Sequence, residues 1–267
     1  MSRASVPSTS SNLQEIGPAA LRVAALTPFT TIDYPGRLSA VVFVQGCPWR
    51  CPYCHNPWMQ PREGAFGRAS AGMPGISGVL ARPGWDEVES LLERRRGLLD
   101  AVVFSGGEPC ADPALASAMR RVREHFGMLV GLHTSGAYPR RLAETAALAD
   151  WIGIDVKGPP EDPAVFDRAT GRAGSCTHFL ESFRAVRESG VPYEARTTAH
   201  PDLLAPGEIL KTADWLRREG CETYALQIYR PAPGIDTGLA PVAESYPGED
   251  VLSALRGFFP RFILRRS

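Results

Sequence analysis

From residue 85 onward the apolar residues of this chain switch back and forth between two spacings. Trp85, Val88, Leu91 and Leu92 recur at helical intervals, so 85–97 reads as an amphipathic helix with Arg94, Arg95 and Arg96 near its C-terminal end. Ala101 to Phe104 is then a short β-branched apolar run, which predicts a buried strand. The alternation continues with a helix over 112–126, carried by Leu115, Met119, Val122 and Phe126, and a strand from Met128 to Leu132. A helix over 139–149 leads to a strand from Trp151 to Val156. Helices over 177–189 and 206–219 alternate with strands over 192–198 and 223–229. A last helix over 248–257 precedes an apolar tail, Phe258 to Leu264, that has to pack against something. Upstream, Val23 to Phe29 predicts a short strand, Asp33-Tyr34-Pro35-Gly36 a turn, and Ser39 to Val44 the first well-marked strand.

This βαβα repetition, with about six strands, implies an α/β fold: a single domain whose parallel strands carry helices on their faces. Right-handed crossovers can build either a partial barrel or a doubly wound open sheet, and the pattern alone does not separate them. Both place ligands at the C-terminal ends of the strands. Residues 1–20, polar and rich in Ser, read as a disordered leader, and 21–267 as the domain. Residues 60–84 hold six glycines and three prolines without periodicity. They read as a surface loop, either a lid or docking element or a tolerated insertion. From about residue 232 the chain reads as a C-terminal extension.

Composition narrows the function classes. The 267 residues are 44% hydrophobic and 22% charged, an ordinary globular balance. Lys+Arg and Asp+Glu both count 29, which argues against a general nucleic-acid binder. No apolar run approaches the roughly 20 residues that span a bilayer, and the N-terminus lacks an apolar signal core. The expectation is a cytoplasmic protein without a membrane partner, its thiols reduced and free to bind metal. Cys110, Cys176 and Cys221 are scattered and read as small buried residues.

The concentrated chemistry lies at 46–57, Gly-Cys-Pro-Trp-Arg-Cys-Pro-Tyr-Cys-His-Asn-Pro. Cys47, Cys51 and Cys54 stand at C-x3-C-x2-C spacing, and Pro48, Pro52 and Pro57 keep the stretch from continuing as strand or helix. Structural zinc takes four ligands, and a cubane cluster held only by protein takes four cysteines. Three thiols on a cluster leave one iron open to a small molecule. The competing readings are zinc with His55 as fourth ligand and, more weakly, a disulfide. At other strand ends stand Gly106-Gly107-Glu108-Pro109 and His133-Thr134-Ser135-Gly136. The first fits a ligand-approaching turn with an acceptor carboxylate, and equally a plain strand-to-helix connection. Period-two alternation puts Trp151, Gly153, Asp155 and Lys157 on one face, and Glu194, Arg196 and Thr198 on one face of the next strand.

The cysteine spacing resembles the cluster motif of the radical SAM (S-adenosylmethionine) superfamily. More narrowly, Thr31-Ile32-Asp33-Tyr34-Pro35-Gly36-Arg37, then Val42-Phe43-Val44-Gln45-Gly46-Cys47 and Cys54-His55-Asn56-Pro57, are similar to the anaerobic ribonucleoside-triphosphate reductase activating proteins, which are glycyl-radical activases. The similarity runs from about Leu26 to about Pro231, interrupted at 60–84. It implies a partial (β/α)6 barrel of the radical SAM type. It also implies a [4Fe-4S] cluster on Cys47, Cys51 and Cys54, with S-adenosyl-L-methionine on the open iron. By the same resemblance Gly106, Gly107 and Glu108 meet the methionyl ammonium, Lys157 its carboxylate, and Asp155 a ribose hydroxyl or a cation. Arg196 faces the SAM carboxylate or the substrate, Gln227 the ribose, and Tyr53 the adenine. The activases commonly carry Asp-Thr-Asn-Gly where this chain has His133 to Gly136. Ser135 keeps a hydrogen-bonding group there, whereas His133 removes a fixed charge that a cation site would use.

The implied activity is reductive cleavage of SAM to methionine and a 5′-deoxyadenosyl radical, which then abstracts hydrogen from a glycine of an anaerobic ribonucleotide reductase. The implied electron donor is a flavodoxin or ferredoxin. Two alternatives stay open: a radical SAM enzyme acting on a small molecule, as in the 7-carboxy-7-deazaguanine synthases, and a zinc-stabilised binding module without catalysis.

Overall fold

The computed structural model describes residues 16–62 and 80–266. Its strands are β1 (Val23–Thr30), β2 (Ser39–Val44), β3 (Leu80–Ala81), β4 (Ala101–Gly106), β5 (Leu129–Thr134), β6 (Trp151–Asp155), β7 (Tyr193–Ala199), β8 (Thr223–Ile228) and β9 (Arg261–Arg265). The helices are α1 (Trp85–Arg94), α2 (Leu115–Arg121), α3 (Pro139–Ala146), α4 (Pro163–Thr170), α5 (Ser175–Glu188), α6 (Pro206–Arg218) and α7 (Glu249–Phe258). Among the described residues one sheet runs β3-β1-β2-β4-β5-β6-β7-β8-β9. From β2 to β9 every pairing is parallel, while β1 pairs antiparallel with both β2 and β3.

Period-two alternation sorts the strand side chains between two environments. Val42, Val44, Val102, Phe104, Val130, Leu132, Ile152 and Ile154 join helix residues such as Val88, Met119, Leu142, Phe179 and Ile209 in one large apolar core. Their neighbours Val41, Ala101, Val103 and Trp151 turn the other way and gather around Tyr34 from the β1–β2 turn. The Tyr34 and Trp151 rings lie 5.5 Å apart. Tyr34 shares this cluster with residues of β2, β4 and β6, and the parallel strands follow one another in sequence without the reversal of a doubly wound sheet, the order of a partial barrel.

Several details differ from the pattern in the sequence. α4 is an additional helix, too short to show a convincing period; Pro163 opens it and the Asp162 carboxylate accepts from Val165 N at 3.4 Å. The helix expected over 112–126 stops at Arg121 and continues as a wider π-turn to Phe126, where Gly127 (φ 65°) ends it. The apolar tail supplies β9, so the parallel strands number one more than the six of a (β/α)6 unit. Of the expected leader, 1–15 lies outside the described residues, and Pro18–Ala20 forms a 3₁₀ turn. Of the expected loop, 63–79 lies outside them, and Leu80–Ala81 pairs with β1. Cys110, Cys176 and Cys221 are buried as expected.

Candidate functional site

The cysteine loop leaves β2 at its C-terminal end and is tied down on both sides. Gly46 N donates to Met59 O at 2.8 Å and Cys47 N to Gln60 O at 2.9 Å, while Gln45 Nε2 donates to the Trp58 and Pro61 carbonyls. On the other side Arg50 N donates to Thr170 O at 2.8 Å, at the end of α4. Trp49, 1% exposed, packs edge-on to Phe166 of α4 at 6.2 Å. Burying that indole contributes roughly 2–3 kcal/mol toward holding the loop in place.

Cys47, Cys51 and Cys54 line one cavity of about 220 Å³ at the C-terminal ends of the parallel strands. Tyr53, His55, Ser105, Gly106, Gly107, His133, Ser135, Asp155, Lys157 and Thr198 complete most of its wall. Most of the residues singled out in the sequence therefore converge, although they come from five separate stretches of chain. Arg196 and Gln227 do not line this cavity. They belong to an adjoining chamber of about 420 Å³, which shares His55, His133 and Thr198 with it.

Glu108 is placed differently from expectation. It is fully buried and absent from the cavity wall. Its Oε1 accepts from Cys110 N (3.0 Å) and Thr134 Oγ1 (2.8 Å), and its Oε2 from Ser135 N (2.7 Å) and Ser135 Oγ (2.5 Å). The carboxylate thus braces the end of β5 against the turn after β4, and the part of this motif that lines the cavity is Gly106 and Gly107. The two glycines likewise serve protein packing. A Cβ on Gly106 would stand 2.5 Å from Val44 N, and one on Gly107 2.5 Å from Gly46 O. Gly107 N and Glu108 N donate across the gap to Val44 O and Gly46 O.

Lys157 is almost buried, with Nζ 2.8 Å from Asp155 Oδ2 and 5.4 Å from the centre of the Tyr53 ring. Burial alone would push the ammonium down, but Asp155 and the neighbouring Tyr53 and Cys51 outweigh it and hold Lys157 well above its ordinary range. Among the described residues the buried Tyr53 hydroxyl has no hydrogen-bond partner. His133, expected as a neutral substitute for a charged residue, turns Nε2 to Asp33 O at 2.9 Å. Burial, reinforced by Arg196, pushes it well below its usual value.

The donor set fits a multi-iron group better than a single ion. Burial pushes the Cys47 thiol up to about 12, and the Cys51 thiol also upward. Thiolates there need a strongly cationic partner, which iron supplies. Among the described residues no three His, Cys, Asp or Glu are grouped to hold one metal ion. On a cubane each thiol takes a different iron, so its ligands stand farther apart than those of zinc. His55, the fourth ligand of the zinc reading, directs Nε2 to Arg230 O at 2.8 Å. The unpartnered Tyr53 hydroxyl and the Lys157 ammonium add donors for an anionic, polar ligand beside the thiols.

Fold and site together define an enzyme class built around an iron–sulfur cluster at the mouth of a partial barrel. Residues 41–216 match the model of the radical SAM superfamily, and the chain belongs to that superfamily. Membership carries its cofactors, a [4Fe-4S] cluster and S-adenosylmethionine. The chain is 27% identical over 218 residues to a Methanocaldococcus jannaschii protein described as a glycyl-radical enzyme activating enzyme, covering 80% of this chain and 82% of that one. It is 27% identical over 196 residues to the pyruvate formate-lyase-activating enzyme of Clostridium pasteurianum, covering 71% and 73%. Its fold is similar to the crystal structure of QueE from Escherichia coli, with a TM-score of 0.61 at 15% identity, covering 97% of this chain and 100% of that one. Among the described residues no helix is long and apolar enough to cross a membrane.

Three residues that matter in the structure stand out less in the sequence. Thr134 holds Glu108, Glu194 is buried between two arginines, and Arg265 on β9 is one of them. The Thr in His133-Thr134-Ser135-Gly136 and the alternation of Glu194 with Arg196 were signals available for the first two. Arg265 lies just past an apolar tail whose partner strand could not be inferred.

Proposed function

We propose that this chain is a glycyl-radical activase, which uses SAM to place a radical on a backbone glycine of a separate enzyme, an anaerobic ribonucleotide reductase. What carries the reading is the convergence of three cysteines, a backbone-lined Gly-Gly turn, Tyr53 and the Asp155–Lys157 pair on one cavity at the strand ends. The named likenesses to activating enzymes support it. A cluster held in that cavity would supply the electron for reductive cleavage of SAM to methionine and a 5′-deoxyadenosyl radical. Cys47, Cys51 and Cys54 would hold the cluster, three thiols for four irons. The Gly106–Gly107 backbone and Ser135 line the place for the methionyl ammonium, Lys157 pairs with the carboxylate, and Asp155 remains to orient a ribose hydroxyl. Tyr53 offers its free hydroxyl and its ring face to the adenosine. The apolar cluster around Tyr34 fills the part of the face formed by Val41, Ala101, Val103 and Trp151. A flavodoxin or ferredoxin is the fitting electron donor.

A second reading, a radical SAM enzyme acting on a small molecule, draws on the adjoining chamber, whose size and three arginine side chains suit a compact charged substrate. Anaerobic reconstitution with iron, sulfide, SAM and a reductant tests both. SAM-dependent 5′-deoxyadenosine is expected, and its absence from a fully loaded protein sinks the SAM chemistry. Adding a candidate reductase is expected to produce a glycine-centred doublet by electron paramagnetic resonance. Cleavage of SAM with no such signal removes the activase assignment and leaves the small-molecule reading.

A further inference from the structure

The segment between β8 and α7, from Tyr229 to Gly248, contains no helix or strand. Ordered connections of that length are uncommon in a compact domain and are usually functional. This one is fastened along its length. His55 Nε2 donates to Arg230 O at 2.8 Å, the Tyr229 and Thr237 hydroxyls share a hydrogen bond of 2.5 Å, and the Tyr246 hydroxyl donates to Leu204 O at 2.5 Å. The middle is held by His200, 1% exposed, whose Nε2 donates to Ala240 O at 2.9 Å. His200 Nδ1 accepts from Asp202 N at 3.2 Å, so the proton of the neutral ring sits on the nitrogen that meets the segment.

These ties turn one side of the segment toward the cysteine loop. Thr237, Leu239 and Val242 are half-buried, whereas Gly238, Ala240 and Pro241 between them are exposed. Leu239 and Val242 pack on a cluster of Tyr53, Ala169, Leu203 and Tyr229, against which Cys51 also packs. Tyr53 and Cys51 line the thiol-bearing cavity, but no residue from 231 to 248 does, so Leu239 and Val242 reach this cluster from outside the cavity. An iron–sulfur group kept from water on that side favours its less charged, oxidised state, which makes the reduced state a stronger electron donor.

We propose that this segment is a strap that closes the outer side of the cysteine loop to solvent, with Leu239 and Val242 as its cover and His200, through Ala240, as the residue that positions it. This rests on the reading of the three thiols as cluster ligands, and adds the part of the chain that shields the cluster and holds its potential low.

The test uses the full chain reconstituted anaerobically with iron and sulfide. Iron and sulfide per chain are counted first, and a parent that takes up no cluster overturns the thiol reading and the strap with it. Cluster loss is then followed by visible absorbance after addition of bathophenanthroline disulfonate, a ferrous-iron chelator, and the reduction potential by electron paramagnetic resonance at set potentials. The double variant Leu239→Ala, Val242→Ala is expected to lose iron about tenfold faster or more, the weight of two truncated apolar contacts. Its potential should move in the positive direction as water reaches the cluster. Leu239→Ala alone, the milder change, carries the same test with a smaller effect if the double variant does not fold. His200→Leu should lose iron roughly fivefold faster, the weight of one hydrogen bond. His200→Gln, which keeps an N–H within reach of Ala240 O, should return the rate to within about twofold of the parent. An unchanged rate in the Leu239 and Val242 variants overturns the proposal. So does a faster rate at an unmoved potential, which marks general loosening of the fold. Equal rates for His200→Leu and His200→Gln overturn the positioning role of His200.

Discussion

Gly107 lies so close to Gly46 that a single methyl group on it would stand 2.5 Å from the Gly46 carbonyl oxygen. The two residues join the turn after β4 to the start of the cysteine loop, and Glu108 N donates to that same oxygen at 2.8 Å. The glycine pair is therefore a structural splice between the two halves of the cofactor site. Gly107→Ala should push the loop away, destabilising the protein by about 1–3 kcal/mol as overpacked sites do. Thermal unfolding, with iron and sulfide counted after reconstitution, checks it. Normal stability and full iron loading would show that the loop can yield.

Glu108 accepts four hydrogen bonds in complete burial, all from Cys110, Thr134 and Ser135. Glu108→Gln would place an NH2 group against donors and remove the charge that strengthens those bonds. The expected loss is about 2–3 kcal/mol, readable by denaturant unfolding of the cluster-free protein. A carboxylate serving the SAM ammonium directly would behave otherwise, with SAM affinity falling and stability unmoved.

The Tyr53 hydroxyl is buried with no hydrogen-bond partner among the described residues, beside Cys51 and Lys157. Leaving such a group unpaired is unfavourable, so Tyr53→Phe should leave the cluster-free protein as stable as before or up to about 1 kcal/mol more stable. Once the site is filled the hydroxyl gains a use, and SAM affinity should drop by roughly three- to tenfold, the weight of one neutral hydrogen bond. Calorimetric unfolding and equilibrium SAM binding separate the two effects. A loss of stability without any change in SAM affinity would make Tyr53 a packing residue.

Asp167 caps the start of α5, its carboxylate accepting from Gly174 N, Ser175 N and Ser175 Oγ. Burial would raise this carboxyl, but those donors outweigh it and hold Asp167 below its ordinary value of 3.8. Since the folded value is the lower one, the carboxylate's contribution is complete above pH 3.8 and disappears as pH falls through the folded value. Asp167→Ala should cost about 0.5–2 kcal/mol near neutral pH, with the difference from the parent shrinking only below that point. Urea unfolding from pH 7 down to 3 measures it, and a difference that stays constant to pH 3 refutes the cap.

The strand–helix alternation, the sharing of one face by Asp155 and Lys157, and the clustering of the three cysteines at a strand end were all legible from spacing. Periodicity reports which way a side chain faces, and that survives into the fold. Glu108 shows where it stops. A Gly-Gly-Glu turn at a strand end reads the same whatever its carboxylate meets, and only the fold brings Thr134 and Ser135 onto it. The helix α4 escaped because eight residues carry little more than two turns of pattern. β9 escaped because an apolar tail announces that it will be buried but not against what.

Local chemistry alone marked the cysteine loop, since three thiols separated by prolines within a dozen residues constrain their own geometry, and the resemblance to a known family supplied the cofactor. Local chemistry also determined the layered α/β fold, through the alternation of its periods. Which residues line the thiol-bearing cavity and which the neighbouring chamber was decided by the curl of the sheet. That curl brings Glu194 and Arg196 of β7 against Arg265 of β9, across a gap that Gly153 leaves open. Contacts between residues 71 positions apart depend on closure in three dimensions, to which spacing along the chain is blind.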